Sequence, residues 1–193
     1  MKKNVLILLT IIMSYTLMAQ QKQKEVGLVF NNLNNFGLSY KTGTNKALWR
    51  FNTMFISGYN INSSSDRDSI SDVNNENLFG FGISMGREFR KTISSNFEFR
   101  FGADLSFNYR YEKNKRSNNI SIITTYQPGV NLVLGFNYLL NDNFSIGAEL
   151  LPNFTYSTSK TEYNNSQRWP VTTSGYSYGI SNNSVLLCLA YKF

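Results

Sequence analysis

The side chains that most often do chemistry in proteins are scarce in this chain. Its 193 residues include no histidine and a single cysteine, Cys188. The commonest general base and the commonest metal ligand are therefore both missing. Cys188 lies in the apolar run 186–189, and a lone thiol in such a run is predicted to be buried rather than reactive. Carboxylates remain as the main candidates for acid–base chemistry.

Two carboxylates, Glu88 and Glu98, form the strongest candidate for an acid–base pair. A symmetric turn about Ile93 would place them opposite each other, with Arg90 and Arg100 nearby, and a like-charge pair can raise the pKa of one member. The two arginines favour a different interpretation. Carboxylates and guanidiniums would neutralise each other as a structural plug, because unpaired buried charge is costly. We therefore predict no catalytic site and no enzyme activity.

A second acidic cluster, in segment 61–76, is a candidate cation site. It contains Asp66, Asp68, Asp72 and Glu76. The spacing does not match a calcium-binding EF-hand loop, because the glycine that makes its sharp turn is missing. We predict no metal site and no cofactor.

The elements that must position these residues are β-strands. Segment 96–111 has an apolar or aromatic side chain at every odd position, from Phe97 to Tyr111, and none at the even positions. A period of two indicates a strand with one apolar and one polar face. Strands of soluble proteins usually run about 5–6 residues, so a strand of this length points to an unusual sheet.

The same alternation recurs along the chain and predicts eight strands in total. The predicted segments are 24–31, 35–42, 46–60, 77–90, 96–112, 119–139, 143–158 and 176–193. Tyr176 and Tyr178 have the opposite parity to Val185, which predicts a bulge near Asn182–Asn183. Links 43–45, 91–95 and 140–142 are short, whereas 61–76, 113–118 and 159–175 are longer, polar loops. Short turns at one end and long loops at the other are typical of an eight-stranded antiparallel up-and-down transmembrane β-barrel.

Each predicted strand has an apolar face and a polar face, and the class of barrel depends on which of them points outward. A polar outer face would give a soluble cup-shaped barrel, and an apolar outer face would give a membrane barrel. An eight-stranded barrel is just wide enough inside for side chains to fill it, and the many Phe side chains of the apolar parity would not fit there. We therefore place the apolar parity outside, in contact with lipid. The polar parity then forms an interior charge plug, which predicts a non-conducting barrel. Its predicted members are Arg50, Glu88, Arg90, Glu98, Arg100, Asp104, Arg110 and Glu149.

Aromatic residues fall near the two predicted ends of the barrel. Such rings form girdles at both membrane interfaces of outer-membrane barrels. The predicted girdle residues are Trp49, Phe89, Phe97 and Phe144 near the short turns, and Tyr59, Tyr109, Tyr111 and Tyr156 near the long loops. General enrichment of aromatic residues in strands is the alternative explanation.

The first nineteen residues have the layout of a secretory signal peptide. Lys2 and Lys3 precede an apolar stretch over 5–13, and small or polar residues lead to Ala19. The apolar stretch is shorter than the roughly 20 residues that a membrane-spanning helix needs. We predict cleavage after Ala19, a signal peptide over 1–19 and a barrel over 20–193.

The chain carries a formal net charge of +7, but no compact basic stripe with stacking aromatics indicates nucleic-acid binding. The strongest basic cluster is Lys113, Lys115 and Arg116, in a predicted outer loop. Lipopolysaccharide phosphates are a natural partner for such a cluster, because Lys and Arg bind phosphate. A solvated loop without a partner is the alternative.

The signal peptide, the alternating strands and the final residues together resemble bacterial outer-membrane β-barrels. The small eight-stranded OmpX-like and OmpA transmembrane-domain-like families are most similar, and the Asn-rich loops are similar to barrel families common in Bacteroidetes. In that class, a terminal Phe193 with Tyr191 before it resembles the signal read by the barrel assembly machinery. The tripeptide Asp68-Ser69-Ile70 resembles an O-glycosylation acceptor of that phylum.

The resemblance implies an outer-membrane location, with outer-membrane lipid, lipopolysaccharide and other outer-membrane proteins as partners. Enzymatic barrels of this size class use a histidine, which this chain lacks. We expect a structural or interaction protein that acts through its extracellular loops or as an accessory subunit of a larger outer-membrane complex. A narrow porin-like pore for small solutes is the alternative.

Overall fold

The computed structural model describes residues 23–32, 35–67, 70–116, 119–164, 169–180 and 184–193, with the backbone alone for 56–75 and Arg116. The predicted signal peptide, the predicted bulge at Asn182–Asn183 and the glycosylation-like Ser69 lie outside the described residues. Within the described part, no helix is long and apolar enough to cross a membrane.

The described chain is almost entirely β-strand. The strands are β1 Gln23–Asn32, β2 Asn35–Gly43, β3 Ala47–Arg67, β4 Ile70–Ser94, β5 Phe97–Arg116, β6 Asn119–Leu139, β7 Phe144–Leu150, β8 Asn153–Tyr163, β9 Val171–Gly179 and β10 Val185–Lys192. The segments β7 and β8 form one interrupted wall strand, and β9 and β10 form another. The barrel therefore has eight strands, as predicted.

Every pairing is antiparallel, and the sheet closes on itself. β1 pairs with both β2 and β10, and β6 pairs with β5 on one edge and with β7 and β8 on the other. Backbone hydrogen bonds between Lys24 and Phe193, at 3.3 and 3.0 Å, continue the closing seam to the last residue. This connectivity confirms the up-and-down barrel.

The two ends of the barrel differ in their connections. Residues 44–46, 95–96 and 140–143 connect strands at the end that also holds both ends of the described chain, here called the short-turn end. At the opposite end, the hairpin end, the connections are 33–34, 68–69, 117–118 and 164–170. Longer polar loops were predicted over 61–76, 113–118 and 159–175, and that prediction is wrong over most of their length. Strands β3, β4, β5, β8 and β9 continue through them as paired hairpins.

Burial follows the alternation of the sequence, but with the polar side chains inside. Arg50 and Glu88 have no exposed surface, whereas Leu105 is 69% exposed and Leu132 is 55% exposed. The apolar parity therefore faces outward, as predicted. Cys188 is buried as predicted, in a small apolar cluster with Val29 and Leu186.

The barrel wall is lowest at the first hairpin. β1 ends at Asn32 and β2 begins at Asn35, while β3 continues beyond its last partner on β2, Ile56, paired only with β4. On the other side of the hairpin, β9 pairs only with β8. Among the described residues, the outer backbone edges of upper β3 and β9 therefore have no strand partner, and a notch lies between them.

Candidate functional site in the barrel interior

The centre of the interior is organised by Arg50 of β3. Its guanidinium contacts three carboxylates: Glu149 at 2.6 Å, Glu88 at 3.0 Å and Asp104 at 3.2 Å. These acids come from β7, β4 and β5, so one planar side chain joins four strands across the lumen. Arginine suits this position because its five donors are arranged as a rigid fork.

Two further cations complete the centre from opposite walls. Lys41 of β2 contacts Glu88 at 2.7 Å and Glu149 at 3.5 Å, and Arg100 of β5 contacts Glu149 at 3.1 Å. Arg100 also donates to the backbone carbonyl of Phe136 at 3.3 Å. Each fully buried glutamate is thus surrounded by several cations, which offsets the large cost of removing its charge from water.

A second group of charges lies towards the short-turn end. Arg90 donates to both oxygens of Glu25, at 2.6 and 2.7 Å, and its Nε donates to Glu88 at 2.7 Å. Glu25 also accepts from Gln23. Because Glu88 contacts both Arg50 and Arg90, the two groups form one network, which we call the plug.

A layer of neutral polar groups covers the plug on the hairpin side. In the orientation that satisfies both of its polar atoms, the Asn52 amide accepts from Arg50 at 3.1 Å and donates to Ser39 at 2.7 Å. Asp104 is the least satisfied member, since neither carboxylate oxygen accepts a hydrogen bond despite its ion pair with Arg50. The charged layer therefore ends at Asp104.

Two glycines make room for the plug. A side chain at Gly147 would collide with the guanidinium of Arg100, and one at Gly86 would collide with the carboxylate of Asp104. The closeness of these contacts explains why the polar parity alternates charged residues with glycine. The small residues provide the volume that the long side chains fill.

The structure brings together most of the residues predicted for the plug, with two corrections. Arg50, Glu88, Arg90, Arg100, Asp104 and Glu149 meet as described, and Glu98 lies at the edge, 3.7 Å from Arg90. Arg110 does not join them. It lies near the hairpin end, where its half-exposed side chain pairs with Glu112 at 2.5 Å.

The predicted alignment of Glu88 with Glu98 is also wrong. Glu88 is opposite Gly102, and Glu98 is opposite Thr92, because a two-residue turn at 95–96 and a bulge near Ser94 replace the turn about Ile93. The facing pair is instead Arg90 and Arg100. The two carboxylates therefore do not form an acid–base pair.

Sequence reasoning missed Glu25, and it placed Lys41 on the inward parity without including it in the plug. Both have the polar parity of the first hairpin, opposite to Val26, Leu28 and Tyr40. Their charge at an inward position was a usable signal. What the sequence did not show was the level in the barrel at which they would meet Arg90 and Glu88.

Most predicted girdle residues lie on the outer surface. The guanidinium carbon of Arg87 lies over the Trp49 ring, 5.1 Å from the ring centroid. The ring centroids of Phe97 and Phe136 are 5.3 Å apart, and those of Phe144 and Tyr191 are 4.9 Å apart. Three of the others also have ring neighbours on adjacent positions, namely Phe89 with Phe101, Tyr109 with Tyr126 and Tyr156 with Tyr176. Tyr111 is opposite Phe79, and the side chain of Tyr59 lies outside the described part.

The candidate lipopolysaccharide residues lie in strands rather than in a loop. Lys113 and Lys115 belong to β5, opposite Asn77 and Asn75, and share the outward face of Tyr111. Arg116 ends the same strand, and its side chain lies outside the described part. The two lysines thus continue the outer wall just beyond the upper aromatic rings.

The charged side chains of the interior neutralise each other. No group of His, Cys, Asp and Glu in the described part of the chain could hold a metal ion. Both carboxylate oxygens of Glu25, Glu88 and Glu149 face cations. The arrangement can fill and brace the barrel.

No protein-family model and no curated protein sequence matches this chain. The fold is similar to the crystal structure of a major outer membrane protein from Thermus thermophilus, with 12% sequence identity and a TM-score of 0.56 over 90% of this chain and 100% of that chain. CarO from Acinetobacter baumannii aligns at 14% identity over 92% of this chain and 98% of that chain, with a TM-score of 0.34. The Thermus likeness shows a shared barrel fold.

Proposed function

We propose that the chain is an integral outer-membrane β-barrel whose plugged lumen does not conduct. One observation carries the proposal: the buried side chains are largely charged, while large apolar side chains cover the outside. Phe79, Ile83 and Leu105 are each more than half exposed. Water-soluble proteins rarely expose contiguous apolar patches above a few hundred Å². Lipid is the solvent that suits this surface.

Labelling of single cysteines tests the membrane placement. Leu105→Cys lies in the middle of β5 and faces outward, and Asn143→Cys lies in an exposed turn at the short-turn end. In lipid nanodiscs, a water-soluble maleimide should modify Asn143→Cys quickly and Leu105→Cys hardly at all. The wild-type chain is the control, because its Cys188 is buried. Equal labelling of the two variants would overturn the membrane placement.

The aromatic rings support two membrane boundaries. Trp49, Phe144 and Tyr191 lie near the short-turn end, and the Tyr109–Tyr126 pair lies towards the hairpin end. Amphipathic rings favour the membrane–water interface. In this arrangement the short turns face the periplasm and the hairpins face the exterior, where outward Lys113 and Lys115 would meet lipopolysaccharide phosphates.

The plug supports a closed lumen over a porin-like pore. Arg50, Glu88 and Glu149 have at most 2% of their surface exposed, and their ion pairs cross the barrel. An ion could pass only by separating these pairs. We therefore expect no steady conductance from the wild-type chain in planar bilayers, with insertion verified by a fluorescent label. A stable conductance would favour the pore for small solutes.

We infer that the protein acts through its hairpin end, as an interaction protein. The support is β9, whose residues are all exposed and which has, among the described strands, a partner on only one edge. Tyr178 is 84% exposed and Trp169 is 88% exposed. A free strand edge with exposed rings is a ready template for pairing with another chain.

Photo-crosslinking in intact cells separates this role from that of an accessory subunit. A crosslinker at Tyr176 samples the hairpin end, and one at Tyr138 samples the outer wall near the short turns. A discrete protein adduct at position 176 alone is expected. An adduct at position 138 alone would favour docking of the lipid-facing wall on a larger complex. No adduct at either position would contradict an interaction role.

A further inference from the structure

A cavity of about 470 Å³ occupies the barrel interior between the plug and the hairpin end. Its lining comes mainly from inward residues on β3 to β6 and β8 to β10, together with Asn31 and Asn35 of the first hairpin. The volume falls in the range of about 300–1,000 Å³ that is typical of small-molecule sites. The plug closes the cavity below, so it is a dead end rather than part of a channel.

The lining combines polar groups with apolar side chains such as Met54, Leu78 and Leu186, and it is nearly free of charge. Its amides are Asn31, Asn35, Asn52, Asn108, Gln127, Asn131 and Asn153, joined by serine and threonine hydroxyls. Arg110 is the charged member among the described lining residues, and its guanidinium already pairs with Glu112 at 2.5 Å. A charged ligand would therefore find no unpaired side chain of opposite charge to bind. The cavity thus favours a neutral ligand.

Two of the amides have no hydrogen-bond partner within the described part of the chain. They are Asn108 of β5 and Gln127 of β6, which are opposite each other in register. Other polar groups of the lining have partners, as Thr155 has in Ser177 at 2.6 Å. Each free amide offers two donors and an acceptor oxygen. The pair is therefore available to a ligand.

The position of Asn108 is set by a close contact across the wall, and the cavity lies beyond it. Gly82, on the neighbouring strand, packs against the Asn108 amide, and a Cβ at position 82 would collide with that amide. The glycine therefore makes room for the Asn108 side chain, which also lines the cavity. Towards the hairpin end, the cavity borders the first hairpin, where the wall is lowest, and Gly179 and Ile180 at the end of β9. Among the described residues, the notch therefore gives a ligand a way into the cavity without opening the barrel.

We propose that this cavity is a binding site for a small, neutral, polyhydroxylated ligand of the saccharide class. Hydroxyl groups both donate and accept, which matches amides that do the same. Asn108 and Gln127 would form the recognising pair at its centre. The ion pairs of the plug would hold the floor of the site rigid without contributing charge to it.

Titration of the full chain in lipid nanodiscs tests the proposal. The neutral probes are maltose and N,N′-diacetylchitobiose. The charged probes are chitobiose and digalacturonate. Chitobiose is the deacetylated, cationic form of the neutral diacetyl sugar, and digalacturonate is an anion. Calorimetry measures affinity, and NMR follows the side-chain amide signals of Asn108 and Gln127. We expect saturable binding of a neutral sugar, movement of both amide signals, and binding of the charged probes at least tenfold weaker.

Variants locate the site. The double variant Asn108→Leu/Gln127→Leu should weaken binding about tenfold or more, since each lost hydrogen bond is worth about 0.5–1.5 kcal/mol and 1.4 kcal/mol is tenfold. Asn164→Leu, the same change at an exposed position outside the cavity, should leave affinity unchanged. If the double variant fails to fold, judged by its migration on unheated gels, Gln127→Met takes its place with a smaller expected loss.

Three results would overturn the proposal. One is the absence of saturable binding of both neutral sugars up to about 50 mM, where a site with millimolar Kd would fill. Another is tighter binding of a charged probe. The third is a variant at position 127 that folds and binds as the wild type does. None of these results depends on whether the barrel conducts or docks a partner.

Discussion

The two halves of the barrel interior share one polar face of the same strands, yet they differ in chemistry. Towards the short-turn end, Lys41, Arg50, Arg90 and Arg100 form ion pairs with buried carboxylates. Towards the hairpin end, neutral amides surround a cavity. The same alternation along the strands thus produces a network of ion pairs in one half of the interior and a cavity in the other.

Arg50 and Arg110 show what separates the halves. Both occupy inward positions, but Arg50 is fully buried among three carboxylates, whereas the side chain of Arg110 is 49% exposed and has one local partner. An inward position alone does not make a plug residue. What matters is whether opposite charges from several strands reach the same level.

The largest effect should come from removing the centre of the plug. Arg50→Met leaves Glu88, Glu149 and Asp104 without the guanidinium that joins them, and breaking a buried ion pair costs about 3–5 kcal/mol. We expect a loss of that size in the free energy of unfolding, measured by urea titration in lipid with the mobility of unheated samples as readout.

The upper half provides the matched comparison. Asn108→Leu removes an amide that has no hydrogen bond to any described residue, so its free energy of unfolding should stay close to that of the wild type. Lys160→Met, which removes an exposed ion pair with Glu162, should show no measurable change. Equal losses for Arg50→Met and Asn108→Leu would remove the distinction between the halves.

An intermediate effect should follow from the same small change at two glycines. Gly147→Ala places a methyl group where the Arg100 guanidinium lies, and overpacking of a tight interior costs about 1–3 kcal/mol. Gly175→Ala, on β9, meets no atom within 4 Å. Only the first variant should unfold at lower urea. A comparable shift for Gly175→Ala would mean that loss of glycine in a strand, rather than crowding of the plug, sets the cost.

The smallest effect concerns the outer wall at the hairpin end. Neutralising Lys113 and Lys115 together, as Lys113→Gln/Lys115→Gln, should weaken binding of purified lipopolysaccharide to the reconstituted chain a few-fold, because exposed charges interact weakly and are screened by salt. Lys91→Gln is the control, since Lys91 is an exposed lysine near the short turns. Surface-bound protein titrated with lipopolysaccharide at two salt concentrations measures the difference. If Lys91→Gln weakened lipopolysaccharide binding equally, net charge rather than the position of Lys113 and Lys115 would determine the affinity.

Much of the barrel could be predicted from its alternation. Because neighbouring side chains on a strand face opposite sides, the inward positions of Arg50, Glu88 and Glu149 and the outward positions of Leu105 and Phe144 follow from residue type and parity alone. The burial of Cys188 could be predicted in the same way.

Register and strand length could not be predicted with the same rule. A bulge near Ser94 moves the turn and places Glu88 opposite Gly102, and nothing in the local sequence distinguishes this turn from a symmetric one about Ile93. The Ser- and Asn-rich stretch 61–67 indicates a loop by composition, yet it pairs along β4, because strand formation depends on neighbouring strands more than on intrinsic propensity. The height of Arg110 along the barrel axis depends on both the register and the strand lengths.

The plug also joins parts of the chain that are far apart in sequence. Arg50 and Glu149 are separated by 99 residues, Lys41 and Glu149 by 108, and Arg90 and Glu25 by 65. Until β7 comes close to the early strands, Arg50 cannot pair with Glu149. The inward charges of the unclosed sheet are therefore not neutralised. Folding should therefore be strongly cooperative and slow, with a high barrier set by non-local contacts. The last strands to arrive turn an unstable, charged sheet into a closed barrel in one step.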